Sequence, residues 1–293
     1  MDASSSPFQR VAIVGVGLIG GSWGLALKRH GFVVRIVGCD RPEVLDRALE
    51  LGAIDEAQPD LAEAVRDAGL VILAAPVAAI LEQLPQIRRA AAPRAVVTDT
   101  GSTKRAILAK ARPIFGKEPL FLGAHPLAGK ERSGIENATA SLFEGARYVV
   151  TPLAPSDLDD ERAAAWLVIV RTIGASPFVT DAETHDRALA FLSHLPQLVS
   201  TGLASLIADE ARCRSLPLEL AATGFRDMTR LAESPYPVWR DICLTNGDNL
   251  LPAIEALIRK LEALKAQLGQ DGLKQEFDEA HELRERWRKT KGP

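Results

Sequence analysis

The chain has little that would staple it, anchor it or charge it strongly. Only three of its 293 residues are cysteine, and Cys39, Cys213 and Cys243 lie far apart with no CxxC pair and no histidine cluster near them. That spacing argues against a disulfide framework and a zinc site and fits a reducing compartment, so a cytoplasmic protein without a metal is expected. No long run of one charge sign occurs. The 35 basic and 38 acidic residues leave a net charge of -3, which makes nucleic acid an unexpected partner. The N-terminus lacks a basic stretch followed by an apolar core, and no later apolar run is read as approaching the ~18 residues of a membrane span. The expected protein is neither exported nor membrane-embedded.

The chain does have enough apolar residues, 47%, to bury a large core. At roughly 150 residues per domain its length suggests two domains. From Val11 to about Thr180, short apolar or β-branched runs alternate with helical patterns. The runs are Val11 to Val14, Val33 to Val37, Leu70 to Leu73, Ala95 to Thr98, Leu120 to Leu122, Tyr148 to Val150 and Pro177 to Val179. Helices are expected over 22–30, 42–51, 60–67, 78–90 and 104–115, each bounded by Gly, Pro, Asp or Ser. This alternation predicts a parallel α/β sheet of Rossmann type over residues 1–180. After Asp181 the strand signal stops. Apolar residues then recur at helical spacing, as in Ala188, Leu192, Leu195 and Val199, and again in Ile254, Leu257, Leu261, Leu264 and Leu268. Residues 181–293 are therefore expected to form an all-helical domain, whose broad stripes suit either a bundle core or a dimer interface.

Gly15-Val16-Gly17-Leu18-Ile19-Gly20 follows the first strand and opens a helix. In that setting a GxGxxG pattern is a strong sign of a dinucleotide site. Gly15 permits the tight turn, Gly17 lets backbone approach the pyrophosphate, and Gly20 lets helix pack on strand, with helix N–H groups facing the anion. Asp40 stands at the end of the second strand, where an acidic side chain accepts from the adenosine ribose hydroxyls, and this favours NAD over NADP. Its alternative role is to cap the helix starting at Pro42. Arg41 either packs on the adenine or attracts a 2′-phosphate, so NADP stays possible. Ala75 and Pro76, just past the strand Leu70 to Leu73, complete the cofactor-binding candidates.

Three further segments bear on the chemistry. They are Asp99-Thr100-Gly101-Ser102-Thr103-Lys104, Gly123-Ala124-His125-Pro126-Leu127-Ala128-Gly129-Lys130-Glu131-Arg132-Ser133-Gly134, and Gly224-Phe225-Arg226-Asp227-Met228-Thr229-Arg230 running on to Trp239-Arg240-Asp241. In this order they resemble the prephenate/arogenate dehydrogenase family, from about Val11 to Leu268. The resemblance implies a Rossmann-type domain, a helical dimerisation domain and a substrate between them, and oxidative decarboxylation towards tyrosine. The chain leaves no length after the bundle for a mutase or regulatory domain, so control by an appended domain is not expected.

By the same resemblance His125 is the base that takes the substrate's hydroxyl proton, a task imidazole suits near pH 7. Ser102 orients that hydroxyl, a role compatible with capping a helix that starts at Thr103. Arg230 grips a substrate carboxylate, since a guanidinium offers a bidentate hold. Asp227 and Glu131 form an ionic network with Arg230, and Trp239 closes the pocket. The plainer alternatives are a histidine merely hydrogen-bonded at a strand end, surface ion pairs and a packing aromatic.

Two positions depart from the family pattern. Lys130 stands where threonine is usual. Ser193-His194-Leu195-Pro196-Gln197 ends in Gln197 where the family has histidine, with His194 and Gln197 on one helix face. A neutral glutamine suits the ammonium of arogenate better than a protonated histidine would, or else it only packs locally. Lys104 is assigned either to the cofactor or to a solvated face. Two other functions compete. A 3-hydroxy acid dehydrogenase would need a helical lysine, which His185 to Gln197 lacks, and an NAD-sensing module would not need His125, Ser102 and Arg230 together.

Overall fold

The computed structural model describes residues 8–130, 132–214, 216–269 and 272–290. Eight strands form one sheet in the order β3-β2-β1-β4-β5-β6-β7-β8. They are β1 (Arg10–Val14), β2 (Arg35–Cys39), β3 (Glu56–Ala57), β4 (Leu70–Leu73), β5 (Val96–Asp99), β6 (Leu120–Pro126), β7 (Arg147–Pro152) and β8 (Ser176–Val179). The helices are α1 (Leu18–Arg29), α2 (Pro42–Glu50), α3 (Leu61–Val65), α4 (Val77–Ala90), α5 (Arg105–Ala111), α6 (Glu161–Thr172), α7 (Ala182–Leu189), α8 (Leu195–Arg214), α9 (Thr223–Thr229), α10 (Tyr236–Thr245), α11 (Gly247–Ala266) and α12 (Lys274–Thr290).

Strands buried on both faces read as continuous apolar runs. In β1, Val11 and Ile13 join a core with Trp23 and Leu27 of α1 and with Trp166 and Ile169 of α6. Ala12 and Val14 face the opposite core, built on Ala64, Ile80, Leu84 and Ile107 of α3, α4 and α5. Inside the first core the Trp23 indole N–H donates to the Tyr148 hydroxyl at 3.2 Å, and Trp166 meets the same tyrosine edge-on at 5.9 Å. The first contact gives the polar tips of two buried aromatics a partner in each other.

The expected parallel sheet holds for β1 to β6. β7, however, runs antiparallel to β6 and parallel to β8, because the excursion of residues 127–146 returns the chain beside β6 instead of crossing over a helix. β3, two residues long, is too short to leave a period-two signal. α1 begins at Leu18, inside the glycine turn, because the helix N-terminus itself belongs to that turn.

Contacts divide the chain into two compact units, Met1–Gly247 and Asp248–Pro293. In the first, α7 and α8 are joined through a π-helical turn at Ala190–His194 into one helical run, Ala182–Arg214. Its 18-residue window of mean hydropathy 1.2 makes it long and apolar enough to cross a membrane by length and composition, contrary to the sequence expectation. Ser193, His194, Gln197 and Ser200 interrupt the run, so no unbroken apolar stretch marks it. Of α8, only Gln197 and Ser200 are buried. In the second unit Lys260 bonds the Glu276 carboxylate at 2.8 Å and 2.9 Å, while Phe277 and Leu283 on α12 stay exposed.

The tight approach of α1 to the loop after α2 gives a test. A Cβ on Gly24 would lie 1.9 Å from the Ala53 carbonyl oxygen, and backbone cannot yield as a side chain does. Alanine inside a helix normally gains about 1 kcal/mol over glycine. Gly24→Ala should instead lose roughly 1–3 kcal/mol, as overpacking does. Urea unfolding reads the sign, and a raised midpoint would contradict the contact.

Candidate active site

The strand order reverses between β1 and β4, and ligands of open α/β sheets bind in the crevice beyond the strand ends at such a reversal. Gly15, at φ +88°, leaves β1 here, and a Cβ on it would strike the backbone of Ala74 at 2.7 Å. Gly20 is similarly locked, its Cβ position 2.0 Å from the Gly15 carbonyl oxygen, whereas Gly17 faces open space. The first and third glycines thus serve the turn, and the second leaves a bare cradle at the N-cap of α1. Asp40 Oδ2 accepts from Val16 N–H at 2.7 Å and Oδ1 from Arg41 N–H at 2.7 Å. Arg41, not Asp40, is the N-cap of α2, and no side chain caps that helix. Arg41 is exposed and paired with Glu43 at 3.2 Å.

A groove of about 1000 Å³ runs past Gly15, Gly17, Asp40, Arg41, Ala75 and Pro76. It shares Gly17, Ala75 and Pro76 with a pocket of about 350 Å³ that adds Leu18, Ile19, Ser102, Lys130 and Trp239. That pocket in turn shares Ser102, Lys130 and Trp239 with a third, of about 520 Å³, lined also by His125, Ser193, His194, Gln197 and Arg230. A single cleft therefore brings together candidates up to 224 positions apart in the chain (239 minus 15). An extended dinucleotide fits the first two sections, since Gly17 presents backbone and no side chain to it.

Asp227 is outside the lining and is paired with its neighbour Arg226 at 3.0 Å. Glu131 lies outside the described residues. Lys130 donates to the Asn137 carbonyl at 2.7 Å, which fastens the loop that borders all three sections.

The base candidate sits in a chain of hydrogen bonds. His125 Nδ1 is 3.0 Å from His185 Nε2, and His185 Nδ1 is 2.7 Å from Asp186 Oδ1. The carboxylate only accepts, so His185 donates to it through Nδ1–H. In the neutral ring His185 Nε2 is then an acceptor, and His125 must donate through its own Nδ1–H. The remaining nitrogen of His125, Nε2, then carries the lone pair, on a ring that lines the cleft. Burial, followed by the neighbouring His185, Lys104 and His194, holds the His125 pKa well below the ordinary 6.5, so the ring stays neutral. Burial also pushes His194 down to about 4, with His185 adding to the drop and Asp186 opposing it. Asn246 donates to His194 Nδ1 at 3.1 Å and to the Asp186 carbonyl at 2.8 Å. His194 therefore offers Nε2–H as a neutral donor, with its ring edge-on to Trp239 at 6.0 Å.

Two expectations need correction. Ser102 does not cap a helix starting at Thr103. α5 starts at Arg105 with no side-chain cap of its own, and the Asp186 carboxylate reaches from α7 to accept from Lys104 N–H at 2.7 Å and Arg105 N–H at 2.9 Å. Lys104 serves neither the cofactor nor a solvated face. It is fully buried, bonded to Asp99 and to the Ala124 carbonyl, and lines no section of the cleft. His185 and Asp186 were missed altogether. Their signal was faint but present, since His185 falls on the stripe of Ala188 and Leu192 and so is a polar residue at a position due to be apolar.

Residues 23–176 match the prephenate dehydrogenase nucleotide-binding domain, and residues 181–283 match the prephenate dehydrogenase dimerization domain. The chain belongs to the prephenate dehydrogenase family. It is therefore an oxidoreductase of that family, and the residues around His125 are to be judged as those of a dehydrogenase. The chain is 33% identical to prephenate dehydrogenase of Bacillus subtilis, over 89% of this chain and 70% of that one. It is also 33% identical to cyclohexadienyl dehydrogenase of Zymomonas mobilis, over 94% and 95%. Among solved structures, prephenate dehydrogenase from Aquifex aeolicus in complex with hydroxyphenyl propionate and NAD+ superposes with a TM-score of 0.85 at 31% identity, covering 96% of this chain and 98% of that one.

The lowered His125 pKa gives a test of the base candidate. A base must be unprotonated, so activity is lost as pH falls through its pKa, and that loss should fall on the acid side of 6.5. A log kcat/KM profile should be level at neutral pH, with its acid limb below 6.5. A limb above 6.5 would contradict the burial of this ring.

Proposed function

We propose that the protein catalyses the NAD-dependent oxidative decarboxylation of arogenate or prephenate, with arogenate favoured, in tyrosine biosynthesis. In this proposal residues 1–180 bind the dinucleotide, residues 181–293 form the helical substrate and dimerisation domain, and the enzyme works as a cytoplasmic homodimer. The observation that carries it is the His125–His185–Asp186 chain opening onto a cleft continuous with the glycine turn. The dimer is supported by the match of residues 181–283 to a dimerization domain and by an α8 with only two buried residues.

The dinucleotide, lying along Gly15, Gly17, Asp40, Ala75 and Pro76, supplies a hydride acceptor when bound. Its presence in the Aquifex relative supports NAD for this chain, as do the two anchored oxygens of Asp40. The protein's own residues handle the proton and the charges. His125 Nε2 takes the proton of the substrate's ring hydroxyl, and its Nδ1–H stays on His185 while positive charge develops and Asp186 balances it. Ser102, bordering both the dinucleotide and substrate sections, donates to that hydroxyl and orients it. Arg230 holds a carboxylate at the mouth, Lys130 sits where a second anionic group enters, and Trp239 excludes water.

Mixing the protein with NAD and each substrate tests this directly. NADH absorbance at 340 nm should rise, and His125→Ala should cut kcat ~10²-fold or more with little change in NAD affinity. Binding of NAD without turnover on either substrate would leave only a sensor.

Gln197 is the basis for favouring arogenate. Its Nε2 donates to the Leu231 carbonyl at 2.7 Å. A carbonyl can only accept, so the amide orientation is fixed with nitrogen towards Leu231 and Oε1 turned away. An oxygen held in this way accepts from the ammonium that arogenate carries and prephenate lacks. Gln197→His should move the kcat/KM ratio ~10-fold towards prephenate, the scale of one hydrogen bond to a charged group. A ratio unchanged within about twofold would show that this side chain does not choose the substrate.

A further inference from the structure

β5 and β6 pair in register only as far as Thr98 and Leu122. Beyond that the strands part, and the cleft opens between them. At the split, side chains replace the ladder. Asp99 Oδ1 accepts from Ala124 N–H at 3.1 Å, and Asp99 Oδ2 accepts from Gly101 N–H at 2.8 Å. Lys104 Nζ donates to the Ala124 carbonyl at 2.7 Å and bonds Asp99 Oδ2. Both side chains are 0% exposed. The pair thus satisfies both backbone groups of Ala124 that a strand partner would otherwise meet on that side, and it ties them to Gly101. Gly101 immediately precedes Ser102, and Ala124 immediately precedes His125.

We propose that the buried Asp99–Lys104 pair is a positioning device that sets Ser102 and His125 against each other by gripping the backbone just before each. The proposal rests on the reading of His125 and Ser102 as the groups that act on the substrate hydroxyl. An ion pair suits this place better than an apolar pair. Backbone donors and acceptors freed at a strand split must be met, and charged partners make shorter and stronger hydrogen bonds than neutral ones. The pair also has an electrostatic consequence. Facing His125 are His185 and, behind it, Asp186 on α7, His194 on the π-helical turn, Lys104 and Asp99 at the strand split, and Lys130 and Arg230 along the same pocket. Burial lowers the Lys104 pKa while the Asp99 carboxylate opposes the drop, and as a cation that cannot move into solvent Lys104 stands against protonation of His125.

The test compares Lys104→Met, the double variant Asp99→Asn/Lys104→Met and His125→Asn. Each is assayed for kcat, KM and NAD affinity, and for kcat/KM against pH. Lys104→Met removes the fixed cation and leaves Asp99, so the acid limb should move to higher pH while kcat drops at least 10-fold. Should that variant fail to fold around a lone buried carboxylate, the double variant decides. It carries no buried charge but keeps an amide at position 99. It should fold, bind NAD within about twofold of the parent and show kcat at least 10-fold lower with KM changed far less. A purely structural role would lower stability and leave turnover per folded molecule intact. A folded double variant with kcat within twofold of the parent, or a folded Lys104→Met with an unmoved acid limb, overturns the proposal. His125→Asn separates the two failures. If it loses turnover while the double variant keeps it, only the positioning proposal falls, whereas retained turnover in His125→Asn removes the base assignment and the proposal with it.

Discussion

The Asp186 carboxylate is the interaction on which the corner around His125 depends. One buried group on α7 accepts from the two backbone N–H groups at the start of α5, from the Arg105 side chain and from His185. Burial alone would raise its pKa, but the bonds from His185 and from the Arg105 and Lys104 backbone lower it, so it remains an anion. That anion complements the dipole of α5, fixes the tautomer of His185 and through it the free nitrogen of His125. Its backbone carbonyl holds Asn246, which orients His194. Two histidines thus receive opposite roles, one as acceptor and one as donor, from a single acidic residue.

The same residue ties the helical segment to the sheet. Asp241 of α10 does likewise, accepting from Ala78 N–H at the start of α4 at 2.9 Å. Because α4 begins beside Ala75 and Pro76, and Trp239 lies two residues before Asp241, the groove past the glycine turn and the pocket around His125 are joined by one bond. Carboxylates at two helix N-termini are therefore joints between the residues that match the nucleotide-binding domain and those that match the dimerization domain.

The glycine turn and the strands around it were legible because local chemistry determines them. Gly15 requires a positive φ, Gly20 a close approach, and β1 carries apolar residues on both faces. His125, Ser102, Arg230, Gln197 and Trp239 were singled out through the family resemblance, and the fold brings these five to the lining of one pocket. The dyad behind His125 was not legible, because His125 and His185 are 60 positions apart and only the fold brings them into contact. Lys104 was misplaced for a related reason. A lysine after a strand usually lies in solvent, and only the parting of β5 from β6 creates buried backbone groups for it to serve. The reversed β7 also left no mark, since strand direction is decided by a connection that carries no periodicity.

The π-helical turn at Ala190–His194 has a bearing on how this pocket can change. A π turn amounts to one residue more than an α-helix needs, and each residue rotates the downstream helix by about 100°. With a residue fewer, α7 and α8 would run on as a regular helix. His185 would keep its place, but Gln197 and Ser200 would swing away from the positions that bury them. The face that α8 turns to Leu231 and Ala232 is therefore a matter of phase between two helical segments. Gain or loss of a single residue there would re-aim that face while leaving His125 and its bonds to His185 and Asp186 in place.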